Sequence, residues 1–353
     1  MERIKRVREV MKEKGVDYLI LGPGSNMFYL SGFTEEQMER PLFLVLDQWN
    51  TYFLAPKLYE EQLSKTHIEV ITYMDGENPY KKLEIERGKI IAIDDTLWSS
   101  FTIDIINTFS PSQLIKASEI MREVRMIKSK EEIEIMKEGV KIAEKSFLET
   151  ISHIRDGMKE IEIAQLLIRK FIENGAERVS FEPIVTSGPN TSMPHLRSTE
   201  KKVKNGEIMI FDFGVKYKGY STDTTRVVSL GKPEEDVLKV YEIVKNAQEL
   251  AKKEVREGVK ACEIDRIARS YISSHDYGNY FIHRTGHGIG IDVHEEPYIS
   301  PDSKRAIQKG MVFTIEPGIY LPGKFGVRVE DMVYVDKEGG ITFNSLSREI
   351  FII

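Results

Sequence analysis

EIMIFDFGVKYKGYSTDTTRVV, residues 207–228, carries two aspartates inside runs whose other residues read as buried strand. Asp212 follows Ile208 and Ile210 at the two-residue spacing of a strand, so it belongs to their apolar face. The stretch Lys216-Tyr217-Lys218-Gly219 supplies the reversal, and a turn centred on Tyr217 and Lys218 predicts that Asp212 lies directly opposite Asp223. Opposed Cβ atoms on neighbouring strands are about 4.5–5.5 Å apart, so the two carboxylates repel. Taken out of water, each is costly unless it is protonated, paired or bound to a metal. A cation resolves the conflict most directly. The other reading is a strand turned to solvent, which a one-residue slip in register would produce.

Later strands repeat the pattern. MVFTIEPG (311–318) ends an apolar run on Glu316, and Pro317 cannot donate to a ladder, so this carboxylate falls at a strand terminus. In GVRVED (326–331) the two-residue period puts Arg328 and Glu330 on one face and Asp331 on the other; taken alone, Arg328 neutralises Glu330. HRTGHGIGIDVHEEP (283–297) holds three of the chain's 7 histidines. His283 and His287 have a spacing that would serve a zinc-binding helix, but Gly286, Gly288 and Gly290 argue against one. By itself the stretch fits equally a glycine-rich strand with packed, hydrogen-bonded histidines. Taken together, Asp212, Asp223, His287, Glu316 and Glu330 bring more negative charge than one divalent ion balances, and enough oxygens to bridge two. Such a donor set favours Mn(II), Co(II) or Fe(II) over a thiolate-type structural zinc.

The 353 residues exceed one ordinary hydrophobic core, and the pattern predicts two domains. Residues 1–122 alternate short apolar runs with amphipathic charged stretches, as a compact α/β domain does; residues 123–353 read as α+β with a largely antiparallel sheet. Ala117 to Lys130 reads as a helical connector, and Ser129 with Glu132 forms a capping box ahead of a helix buried through Met136, Val140, Phe147 and Ile151. No short-period repeat is evident. A net charge of -6 excludes a basic footprint for nucleic acid, and no run approaches the ~18 apolar residues of a membrane span. The single cysteine, Cys262, makes a cytoplasmic setting the default.

The ordered set Asp212, Asp223, His287, Glu316 and Glu330, within FDFG, STDTTR, GHGIG, TIEPGIY and GVRVED, resembles the dinuclear metallopeptidases of the pita-bread fold. That family includes methionine aminopeptidase, aminopeptidase P and prolidase. NMFYLSGF (26–33) is similar to a segment of the N-terminal domain found in the prolidase and aminopeptidase P branch, so the resemblance spans the chain. It implies two divalent ions per subunit, Mn2+ or Co2+ before Fe2+ or Zn2+. Asp212 would hold one ion, His287 and Glu316 the other, with Asp223 and Glu330 bridging. It implies that a metal-bridging hydroxide attacks the peptide bond preceding proline and that Glu316 shuttles the proton. His195, His283 and His294 would line the substrate pocket, His294 facing the substrate carbonyl, and Arg328 matches an arginine associated with the substrate carboxylate. Xaa-Pro dipeptides are the first substrate reading and longer Xaa-Pro peptides the second. A homodimer joined through the N-terminal domain is expected. A metal-free amidinohydrolase or a non-catalytic binding module of the same fold would have lost ligands, and here every ligand position is filled.

Overall fold

The computed structural model describes residues 2–353 and divides into two compact units, Met1–Arg125 and Met126–Ile353. The first is built on strands β1 (Tyr18–Leu21), β2 (Phe43–Leu46), β3 (Thr51–Pro56), β4 (Glu69–Tyr73), β5 (Ile90–Ile93) and β6 (Gln113–Lys116). They form one mixed sheet in the order β4-β3-β2-β1-β5-β6. YLIL and FLVL, the two central runs, are buried at every residue, as strands covered on both faces must be. Around the sheet lie helices α1 (Glu2–Lys14), α2 (Ser25–Ser31), α3 (Glu60–Leu63), α4 (Ser99–Phe109) and α5 (Ser118–Arg125). NMFYLSGF lies largely within α2, which stops at Gly32 with φ 73°, a left-handed cap that glycine adopts without strain.

The second unit carries α6 (Lys130–Ile151), α7 (Glu160–Glu173), α8 (Glu235–Glu254) and α9 (Ala261–Ser273). Its strands before α8 are β7 (Arg178–Val179), β8 (Ile184–Ser187), β9 (Ile208–Phe213), β10 (Val215–Tyr217), β11 (Tyr220–Ser221) and β12 (Thr224–Ser229). Those after α9 are β13 (Gly286–Gly288), β14 (Glu295–Ile299), β15 (Val312–Ile315), β16 (Gly318–Leu321), β17 (Phe325–Arg328), β18 (Asp331–Asp336), β19 (Gly339–Thr342) and β20 (Phe351–Ile352). The main sheets run β20-β12-β9-β8 and β14-β13-β15-β18-β19, antiparallel throughout except for the parallel pair β12–β20.

A duplication organises this unit. Gly157-Met-Lys-Glu-Ile-Glu-Ile before and into α7 matches Gly258-Val-Lys-Ala-Cys-Glu-Ile before and into α9 at glycine, lysine, glutamate and isoleucine. Both glycines have positive φ, 84° and 87°. Both lysine N–H groups donate to the glutamate three residues on, Glu162 and Glu263. Both lysines also form an isolated antiparallel bridge, to Lys202 and to Ala306. The halves thus present equivalent helix–sheet frames, one contributing Asp212 and Asp223, the other His287, Glu316 and Glu330.

Three sequence expectations change. The connector helix ends at Arg125, and Ile127 pairs with Met311 before the capped helix begins at Ser129. The capping box is present: Glu132 N–H donates to Ser129 Oγ, and Ser129 N–H to the Glu132 carboxylate. The hairpin turns at Lys218 and Gly219, both with positive φ, not at Tyr217 and Lys218. Asp212 therefore faces Thr225 rather than Asp223. A slip of two residues keeps the face, so Asp223 still lies diagonally beside Asp212.

Gly214, between β9 and β10, is where the strand pair closes most tightly: a Cβ there would lie 1.8 Å from the Thr222 carbonyl oxygen and 2.3 Å from Ser180 Oγ. Gly214→Ala should therefore destabilise the protein by about 2 kcal/mol or more, lowering the urea midpoint and the melting temperature. An unchanged midpoint would show that the two strands have room to separate.

Candidate metal centre

Each of the five sequence-selected residues sits at or next to a strand end of the second unit, and all five line one cavity of about 300 Å3. Asp212 is the penultimate residue of β9, Asp223 precedes β12, His287 is the middle of β13, Glu316 follows β15 and Glu330 precedes β18. His287, Asp223 and Glu330 are buried, and each offers a ligand atom within 4.8 Å of the other two. His287 Nε2 lies 3.2 Å from Glu316 Oε1 and 3.6 Å from Asp223 Oδ2. Its Nδ1 lies 3.1 Å from the Gly288 carbonyl oxygen. A carbonyl only accepts, so Nδ1 carries a proton, and Nε2 is the ring nitrogen that faces the carboxylates.

One oxygen of each of three carboxylates is held. Arg328 Nη2 donates to Asp212 Oδ2 at 2.6 Å, Thr225 Oγ1 donates to Glu330 Oε2 at 2.7 Å, and Asp223 Oδ2 faces His287. The other oxygens, Asp212 Oδ1, Asp223 Oδ1 and Glu330 Oε1, are buried and have no hydrogen-bond partner. Burial raises the pKa of Asp223 well above its ordinary range, and the charges of Glu330, Asp212 and Glu316 raise it further. Glu330 is raised by burial, then by Glu316 and Asp212. Glu316 behaves oppositely: burial pushes it up, but the hydrogen bond and charge of His287, with His283 and Arg328, bring it down to about 2. Buried carboxylate oxygens without a partner, two of their residues grouped with an imidazole, are what a divalent cation satisfies, so these residues fit the divalent cations that the donor set suggested.

Arg328 pairs with Asp212 and makes no direct ion pair with Glu330 among the described residues. Its guanidinium donates to Asp212, to Tyr320 Oη at 2.8 Å and to Thr225 Oγ1 at 3.1 Å. Asp331 does face away from the cavity, into a buried pair with Arg226 at 2.6 Å and a hydrogen bond from Gln248. His195 and His294 lie on the cavity wall, both exposed. His294 packs edge-on against His287, ring centroids 4.2 Å apart. Partial desolvation by the cavity wall, with the nearby His287 and Arg284, lowers its pKa to about 4. His283 also lines the cavity, Nε2 3.0 Å from Tyr320 Oη and Nδ1 2.7 Å from the Arg284 carbonyl oxygen. Tyr320 and Thr225 escaped the sequence reading. Their only signal was position, Tyr320 in the TIEPGIY motif and Thr225 beside Asp223.

A model of metallopeptidase family M24 matches residues 134–337, and one of the creatinase/prolidase N-terminal domain matches residues 3–127. The chain is 32% identical to the Xaa-Pro dipeptidase of Pyrococcus horikoshii over 349 residues, 99% of this chain and 98% of that one. It is similar to the crystal structure of recombinant prolidase from Thermococcus sibiricus, with a TM-score of 0.95 and 44% identity over 99% of this chain and 98% of the other. The X-Pro aminopeptidase from Thermotoga maritima gives a TM-score of 0.86 at 34% identity, covering 98% of this chain and all of that one.

The raised carboxylates set a direction for stability against pH. Asp223 and Glu330 hold protons in the folded metal-free state above their ordinary values of 3.8 and 4.5. The folded state then binds more protons than the unfolded one, so stability is fullest below those values and falls as pH rises through and above them. The melting temperature of chelated protein should drop between pH 5 and pH 8, and Asp223→Asn should flatten that slope and raise the value at pH 8. A flat profile in the parent protein would mean that the carboxylates do not share a poorly solvated site.

Proposed function

We propose, because this chain belongs to metallopeptidase family M24, that it hydrolyses the peptide bond preceding proline, with Xaa-Pro dipeptides as the first substrates. Its fold is the pita-bread fold, preceded in the chain by a creatinase-type N-terminal domain. The observation that carries the reading is the set of buried, unpartnered carboxylate oxygens beside His287, in a cavity also lined by Phe181, Ile184, Pro194 and Val293.

Asp212, Asp223, His287, Glu316 and Glu330 would hold two divalent cations, Asp223 and Glu330 serving both; the oxygen-rich set favours Mn2+, Co2+ or Fe2+ over a thiolate-type zinc site, and the family resemblance puts Mn2+ or Co2+ before Fe2+ or Zn2+. Such cations supply Lewis acidity and bring the pKa of a water near neutrality. Glu316, beside His287 on the cavity lining, is placed to accept a proton and pass it to the leaving nitrogen. His294, neutral above about pH 4, offers an N–H to the substrate carbonyl oxygen as charge develops there. His195 closes the same wall, and Phe181, Ile184, Pro194 and Val293 provide apolar surface for a pyrrolidine ring. The Arg328–Tyr320–His283 chain orients Asp212 on one side and the His283 ring on the other.

A homodimer joined through the first unit belongs to the same proposal, supported by that unit's exposed Trp49, Met38 and Met74; a monomeric mass by light scattering would remove it. No helix among the described residues is long and apolar enough to cross a membrane, and the lone cysteine agrees with a cytoplasmic setting. Similarity to an X-Pro aminopeptidase keeps longer peptides as the second reading.

Purified protein loaded with Mn2+ or Co2+ should cleave Xaa-Pro dipeptides faster than Xaa-Pro-Xaa tripeptides and lose that activity on chelation. Glu316→Gln should lower kcat by about 100-fold or more. Faster turnover of the tripeptide would move the assignment to the aminopeptidase reading, and full activity after exhaustive metal removal would end both.

A further inference from the structure

Three arginines line the cavity, and they differ in what they hold. Arg328 is committed to Asp212, Tyr320 and Thr225. Arg197 donates to the Glu182 carbonyl at 2.7 Å and lies 3.7 Å from the Glu182 carboxylate. The Arg284 guanidinium has neither an ion pair nor a hydrogen bond among the described residues; it lies over the Tyr298 ring, 4.3 Å from the centroid. A guanidinium seated over a ring spends none of its N–H groups on it, leaving the fork that matches a carboxylate.

The main chain on both sides of Arg284 is pinned. Arg269 Nη2 donates to the His283 carbonyl at 2.8 Å, while Thr285 donates through N–H and hydroxyl to buried Asp265 at 3.1 and 2.8 Å. The free cation is thus presented from a fixed backbone, on the wall of a cavity whose floor is acidic. A dipeptide must place its own carboxylate in this cavity, and the acidic floor repels it. Building on the proposed function, we infer that Arg284, rather than Arg328, binds the C-terminal carboxylate of the substrate and so determines the preference for dipeptides.

The test compares an Xaa-Pro dipeptide with the corresponding Xaa-prolinamide on metal-loaded full-length enzyme. The parent should favour the free acid by about tenfold or more. Arg284→Met should lower kcat/KM for the acid by about 30-fold, mainly through KM, and leave the amide within about threefold. Arg284→Lys should keep part of the preference, and metal content and melting temperature should stay at parent values in both variants. Equal losses on acid and amide, or a parent enzyme indifferent to the carboxylate, would overturn the inference while leaving the proposed reaction standing. A parent enzyme inactive on both substrates would remove the reaction and this inference with it.

Discussion

Four carboxylates share a cavity floor from which water is largely excluded, and the second unit is arranged around the repulsion among them. Like charges this close cannot all ionise without compensation. The structure supplies it unevenly. Arg328 faces Asp212, His287 faces Asp223 and Glu316, and Thr225 gives Glu330 one hydrogen bond. What remains are three buried oxygens with no protein donor, on Asp212, Asp223 and Glu330, the last two residues lying with His287 in one group of ligand atoms within 4.8 Å of one another. Replacing the acids with apolar residues would give a steadier fold, so the strain marks a site kept for chemistry.

Holding such a group together takes a rigid surround, and the sequence supplies it with small residues. Thr314 Oγ1 accepts the His287 N–H and donates to Glu316, tying two candidate ligands through one side chain. Thr225 does the same for Glu330 and Arg328. The glycines that make the His287 stretch look unlike a helix have a steric function. A Cβ on Gly286 would lie 1.8 Å from the Thr314 carbonyl oxygen, and one on Gly288 would lie 2.2 Å from that of Glu296. Neighbouring strands reach His287 only because those side chains are missing, and the imidazole is thereby locked between β14 and β15.

The five acidic and imidazole positions were legible because charge inside an apolar two-residue period is locally anomalous, and the anomaly needs no tertiary knowledge. The pairing of Asp212 with Asp223 was placed two residues out, since Lys218 gave no sign that it would adopt a left-handed turn with Gly219. The proximity survived because a two-residue error preserves the face. Taken alone, Arg328 read as the neutraliser of Glu330, its neighbour in the period, whereas its ion-pair partner Asp212 is 116 positions away in sequence and could not be found by spacing. The duplication also went unnoticed: four identities in seven residues, separated by about a hundred positions, become meaningful only when both copies adopt one backbone.

That duplication bears on how the cavity acquired its walls. Fully buried Glu160 at the start of α7 accepts hydrogen bonds from Ser187, Asn190 and Thr199, and so secures the loop that carries His195. In the other half, Asp265 of α9 accepts from Thr285 and pairs with Arg269, securing the segment that carries His283 and Arg284. The two acids are not at equivalent positions: Glu160 aligns with Ala261, and Asp265 aligns with Ala164. Each half has solved the same problem, anchoring a substrate-facing loop to the first turns of its second helix, with a different side chain. The shared frame therefore accounts for where the cavity lies, and the unshared acids for what each wall presents. One wall carries a histidine near an apolar surface; the other carries histidines beside an uncommitted guanidinium, which gives the cavity two chemically distinct sides on a symmetric scaffold.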